Sequence, residues 1–164
     1  MERKIHVAGY RASIEEPESF VGRLRSEAAK LGATVEAYDA GAILGSEHLI
    51  VAWERAQRAF SNGSAASDSV AMEARVYASC ERQINVAISK TGVKPGNAGV
   101  ALVSEDAKAM ETVAKALGLA RDDSVLAPTR EKLALWGIAG PKDAPAGKTA
   151  DLIFERMCLL EVER

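Results

Sequence analysis

No stretch of this chain approaches the roughly 18 consecutive apolar residues that span a bilayer. The N-terminus, Met-Glu-Arg-Lys-Ile-His, carries no apolar signal region. Both absences point away from membranes and secretion, and the expected location is the cytoplasm. Cysteine is nearly missing: Cys80 and Cys158 are far apart and neither belongs to a Cys-x-x-Cys pair. One disulfide is formally possible, but two free thiols packed as small hydrophobes suit a reducing compartment better. The two histidines, His6 and His48, have no cysteine or carboxylate at metal-ligand spacing. No metal and no cofactor are expected. A strong charge of one sign is also lacking, with 21 Lys and Arg against 23 Asp and Glu, so bulk charge does not mark a nucleic-acid protein.

Catalytic signatures are missing as well. Gly147-Lys148-Thr149 resembles the end of a phosphate-binding loop, but Lys142 stands where that motif needs its first glycine, and no buried strand leads into it. There is no Gly-x-Ser-x-Gly elbow and no Gly-x-Gly-x-x-Gly turn. Asp122-Asp123 reads as a solvated turn beside a strand edge rather than an acid/base pair. A small-molecule enzyme or sensor would need convergent polar groups around a pocket, and the sequence offers no such set. The reading is a protein that works by binding, not an enzyme.

With 164 residues, 48% of them hydrophobic and 27% charged, one folded domain spanning 1–164 is expected. Residues 4–10 read as a strand. Pro17 and its acidic neighbours open a helix whose stripe is Val21, Leu24, Ala28 and Leu31, stopped by Gly32. Residues 34–38 read as a second strand. Ser46 is placed to cap a helix with His48, Leu49, Ala52 and Ala56 on one face. A polar loop over 61–69 precedes a helix over 70–79, and another runs from near Glu81 to Gly92. Residues 99–103 form a short strand of the buried kind. Ser104 is placed to cap a helix carrying Ala107, Met110, Val113, Ala114 and Leu117. A short strand near Val125 and Leu126, a helix over 129–136 and a proline-containing loop over 140–147 follow. The last helix, near 149–160, is apolar around most of its circumference, so it is either enclosed or docks a partner on its second side. The class is α/β (α+β): a small mixed β-sheet packed with several helices.

The middle of the chain is locally basic. Residues 53–94 carry Arg55, Arg58, Arg75, Arg82, Lys90 and Lys94 against Glu54, Asp68, Glu73 and Glu81. A further pattern runs through His48-Leu49, Met72-Glu73, Gln83-Ile84, Gly96-Asn97 and Asp122-Asp123-Ser124-Val125-Leu126. In order and spacing these resemble the kinase-binding subunit of the KEOPS complex, the Cgi/PRPK-binding protein family, in its archaeal form. The resemblance runs from about residue 34 to 136. Asp68, Tyr77 and Cys80 depart from it, Cys80 standing where the family pattern has glycine.

The resemblance implies a non-catalytic subunit that binds the N-terminal lobe of a small atypical protein kinase and also binds tRNA through its single-stranded CCA end. The complex installs threonylcarbamoyl on an adenosine beside the anticodon, and the transfer belongs to a separate catalytic subunit. A single-stranded end is read by stacking and small pockets. The implied RNA contacts are Arg55, Arg58, Arg75, Arg82, Lys90 and Lys94 for phosphates and Gln83 and Asn85 for base edges. Met72, Ile84 or Ile88 could wall a pocket, although each taken singly reads first as core. Phe154, Met157 and Leu160 on the last helix are the candidate kinase anchors. An adapter that binds kinase without RNA is the alternative.

Overall fold

The computed structural model describes residues 3–96, 99–138 and 149–162. In chain order the elements are β1 (His6–Arg11), α1 (Pro17–Lys30), β2 (Val35–Asp39), α2 (Ser46–Asn62), α3 (Val70–Ser79) and α4 (Ile84–Thr91). These are followed by β3 (Gly99–Ser104), α5 (Ala107–Ala116), β4 (Ala120–Arg121), α6 (Arg130–Leu135) and α7 (Thr149–Val162). The chain forms two compact units. One comprises the chain up to Gly41 with Gly92–Leu126; the other comprises Ala42–Thr91 with the chain from Ala127 onward. The loop expected over 140–147, and with it Gly147-Lys148, lies outside the described residues, as does Asn97.

The first unit holds a four-stranded sheet in the order β2-β3-β1-β4. The α+β class is as expected, but every ladder is antiparallel rather than mixed. The reason lies in the connection. The β1–α1–β2 segment makes β1 and β2 parallel to each other, and β3 inserts between them, running antiparallel to both. Alternation then fills one face. Ala8 and Tyr10, Val35 and Ala37, and Val100 and Leu102 pack with Leu24 and Ala28 of α1 and with Met110, Val113 and Ala114 of α5. Leu31, assigned to the α1 stripe, is the C-cap residue and is 46% exposed. The cap expected from Ser104 is made by Asp106, which accepts from the Ala109 amide at 3.0 Å. The Ser104 hydroxyl instead donates to the Thr34 carbonyl at 2.7 Å.

Asp122-Asp123 is a structural latch. Asp123 Oδ1 accepts from the Gly9 amide at 2.9 Å, and the Arg121 guanidinium grips both carboxylate oxygens, holding that carboxyl below the usual range. Asp122 accepts from the Ser124 amide at 3.0 Å and pairs with Arg11. These bonds bend residues 123–126 into a 3-10 turn, where a strand was expected. Val125 thereby lies directly against the sheet. A Cβ at Gly99 would sit 2.5 Å from Val125 Cβ, and one at Gly9 would sit 2.8 Å from the Asp122 carbonyl oxygen.

The second unit is helical. Leu49, Ala52, Ala56 and Ala59 of α2 are buried, as are Ala74, Val76, Tyr77 and Ala78 of α3. Small side chains on both helices permit close packing. The N-cap of α2 is Gly45 at φ 95, with no cap from the Ser46 side chain. The helix enclosed on nearly all sides is α3, buried without interruption from Glu73 to Ser79. By contrast, α7 buries Ile153, Met157 and Leu160 while Leu159 and Val162 remain 53% and 81% exposed. The α3 helix ends at Cys80, which adopts φ 57, among the described residues the sole non-glycine with positive φ.

Gly99→Ala is expected to lower unfolding stability by about 1–3 kcal/mol through overpacking against Val125. At Cys80, a β-branched residue tolerates the left-handed conformation poorly. Cys80→Val is expected to cost about 2 kcal/mol, with Cys80→Gly within ~1 kcal/mol of the parent chain. Urea midpoints check both.

Candidate functional site

In the second unit a surface cleft of about 680 Å³ lies along the turn from α3 into α4 and along α7. Arg82, Lys90 and Arg156 line it, with Glu81 as the sole carboxylate among its lining residues; Val86, Leu159 and Leu160 line it as apolar groups. The sequence pattern predicts a helix start near Glu81, but α4 begins at Ile84. The left-handed Cys80 and the bond from the Glu81 amide to Ser79 Oγ, 3.1 Å, turn the chain first. The short segment 80–83 is thereby laid along the cleft.

Trp136, just beyond α6, organises the ground beneath it. Its Nε1–H donates to the Ala42 carbonyl at 3.0 Å, and its ring meets His48 edge-on at 5.3 Å between centroids. Lys90 Nζ stands 4.0 Å from the Trp136 ring centroid, a cation–π geometry. The same ammonium donates to the Ser79 carbonyl at 3.0 Å and to Glu81 at 3.4 Å. Arg156 Nη1 donates to the Trp136 carbonyl at 2.7 Å.

His48 is fully buried and serves structure. Its Nδ1 accepts from the Leu44 amide at 3.0 Å, which leaves Nε2–H to donate to the Ala78 carbonyl at 2.8 Å. Burial pushes its pKa down to about 4, with Lys90 and Lys132 adding to the shift and the Ala78 bond opposing it. Burial also governs the Cys80 thiol. Burial pushes its thiol up to about 11, against the opposing pull of Lys90 and Arg156.

The residues singled out in the sequence divide clearly. Arg82, Gln83 and Lys90 line the cleft together. Asn85 is exposed on α4, as are Ile84 and Ile88 at 39% and 42%, so neither isoleucine is core. Met72 is half-buried and Arg58 exposed. Arg75 is no surface cation: at 7% exposure it donates to Thr91 Oγ1 at 3.1 Å and ties α3 to α4. Arg55 pairs with Glu161 and donates to Cys158 Sγ, which commits it to holding α7. Lys94 belongs to the first unit and donates to the Gly92 carbonyl at 2.8 Å. Of the kinase anchors, Met157 and Leu160 are buried at 0% and 4%, and Phe154 is half-buried. Met157 and Leu160 therefore offer a partner little surface while α7 stays packed. Arg156 and Trp136 escaped the sequence reading, because no periodicity distinguishes a cation that lines a cleft from a solvated one.

The family model for the kinase binding protein CGI-121 matches residues 14–134. The chain belongs to that family. The regulatory protein Cgi121 of Methanocaldococcus jannaschii is 28% identical over 146 residues, covering 87% of this chain and 93% of that protein. The family span contains α4 and the Lys90 side of the cleft, and it ends before Trp136 and α7. Among the described residues, no helix is long and apolar enough to cross a membrane.

The buried neutral His48 gives stability a direction in pH. A folded pKa below the ordinary 6.5 means that protonation favours the unfolded chain. Stability is expected to be full above pH 6.5 and to fall towards pH 4, by about 3 kcal/mol in total from this group. Urea unfolding measured from pH 7 to 5 should slope in the wild type, and in His48→Gln the slope should be markedly flatter.

Proposed function

We propose that this chain is a non-catalytic regulatory subunit of a KEOPS-type tRNA threonylcarbamoyladenosine complex, docking on a small atypical kinase and recruiting tRNA through its CCA end. Family membership supports the kinase half. The observation that carries the RNA half is the cleft, which Arg82, Lys90 and Arg156 line together with Val86, Leu159 and the exposed amide of Gln83. Cations suit a phosphate chain, apolar side chains suit base stacking, and an amide offers the paired donor and acceptor of a base edge. A non-catalytic role agrees with a buried neutral His48 and a Cys80 thiol held far above neutral pH. The complex would act in the cytoplasm, with threonylcarbamoyl transfer performed by another subunit.

For the kinase surface, the flank of α7 that carries the half-buried Phe154 replaces Met157 and Leu160, which are buried. Phe154, Cys158 and Val162 follow each other at four-residue spacing, on a flank of α7 away from Ile153, Met157 and Leu160. On such a flank an aromatic side chain such as Phe154 contributes the largest apolar area to a contact.

Two measurements test the halves separately. Val162→Glu is expected to weaken capture of the purified small atypical kinase by about tenfold or more, with unfolding stability unchanged. Unaltered capture removes the α7 stripe as the docking surface. Full-length tRNA should bind in a salt-sensitive manner, and the same tRNA trimmed of CCA should bind at least ~10-fold more weakly. Equal binding of both RNAs, or of neither, removes the recruitment role and leaves a kinase adapter.

A further inference from the structure

One residue fixes both Lys90 and Arg156, and it does so from two chemically different parts of itself. The Trp136 ring lies under the Lys90 ammonium at 4.0 Å, and the Trp136 carbonyl accepts from Arg156 at 2.7 Å. Trp136 is itself 4% exposed and is pinned through Nε1–H to the Ala42 carbonyl and edge-on to His48. Its freedom to move is therefore small, and the two cations inherit that fixity. Both line the same cleft, Lys90 from α4 and Arg156 from α7. Both also act electrostatically on Cys80, a lining residue of that cleft, so their fields converge there.

We propose that Trp136 is a positioning residue that presents Lys90 and Arg156 as a paired cation site for phosphodiester groups of a single-stranded RNA end. The inference rests on the RNA half of the function proposed above. Long basic side chains normally lose rotamer freedom when they grip a phosphate. Here much of that ordering precedes binding, which is the general route by which preorganisation improves affinity. A guanidinium carries five N–H groups, and the tether to Trp136 commits one of those of Arg156. Lys90 has three donors. The Ser79 carbonyl and the Glu81 carboxylate, which accept from it, differ in what RNA would do to them: a phosphate competes with Glu81 and leaves the Ser79 bond in place. Glu81 is then the resident counter-ion that an incoming phosphate displaces.

The test is binding of the full chain to a labelled single-stranded RNA ending in CCA, across a range of salt. Lys90→Gln and Arg156→Gln are each expected to weaken binding about 5- to 10-fold at low salt and to lower the slope of log affinity against log salt by about 0.7. Trp136→Leu is expected to lower the same slope, while Trp136→Phe, which keeps a ring beneath Lys90, stays within about twofold of wild type. Glu81→Gln is expected to tighten binding about two- to fivefold by removing the competitor. In a Trp53→Phe chain, Trp136 is the remaining indole, and saturating RNA should shift its emission. That reading does not depend on whether Trp136→Leu folds. If the wild type does not bind RNA, the recruitment reading fails and this inference fails with it. If the wild type binds but Lys90→Gln and Arg156→Gln keep its affinity and slope, the cation pair is refuted alone. If those two variants respond while Trp136 emission is unmoved at saturation, the positioning role is refuted.

Discussion

The second unit depends on a neutral imidazole held at both nitrogens. His48 joins the backbone before α2 to the end of α3, and its ring abuts Trp136. Each hydrogen bond is buried, so losing either partner would strand a backbone polar group without water. The last turn of α3 is therefore fixed, and with it the left-handed Cys80 and the Ser79 carbonyl that receives Lys90. The cleft is a downstream consequence of that one side chain. Surface residues can vary around it only within the geometry that it sets.

The family-like signature residues have separate physical roles. Glu73 is buried and accepts from the Ser67 amide at 2.9 Å, so it secures the loop before α3. Asp123 takes the Gly9 amide and secures the turn beneath the sheet. Gln83 and Ile84, in contrast, face outward. A sequence pattern mixes both kinds, and three-dimensional placement separates positions that build the scaffold from those available to a ligand.

Much of the fold was legible because local rules acted without competition. Pro17 opened α1, the glycine-led apolar run at 99–103 became one of the two interior strands, and α3 has the bounds that its spacing implied. Errors arose where a side chain captured a distant backbone group. Ser104 turned to Thr34, and Asp123 turned to Gly9, replacing an expected cap and an expected strand. The same cause divided the candidate site. Arg82, Gln83 and Lys90 were found from a basic stretch of sequence, but so were Arg75 and Arg55, which are tied to Thr91 and to Glu161. Charge patterning identifies cations, whereas their partners depend on chain segments far away in sequence.

Ile84, Val86 and Ile88 leave α4 with apolar side chains 39%, 41% and 42% exposed on a helix of 8 residues. Contact between such groups has almost no enthalpic drive near room temperature, and the entropy of released water supplies it. Adhesion of this origin weakens on cooling. An apolar contact made at any of these side chains is therefore expected to strengthen as the solution warms from the cold.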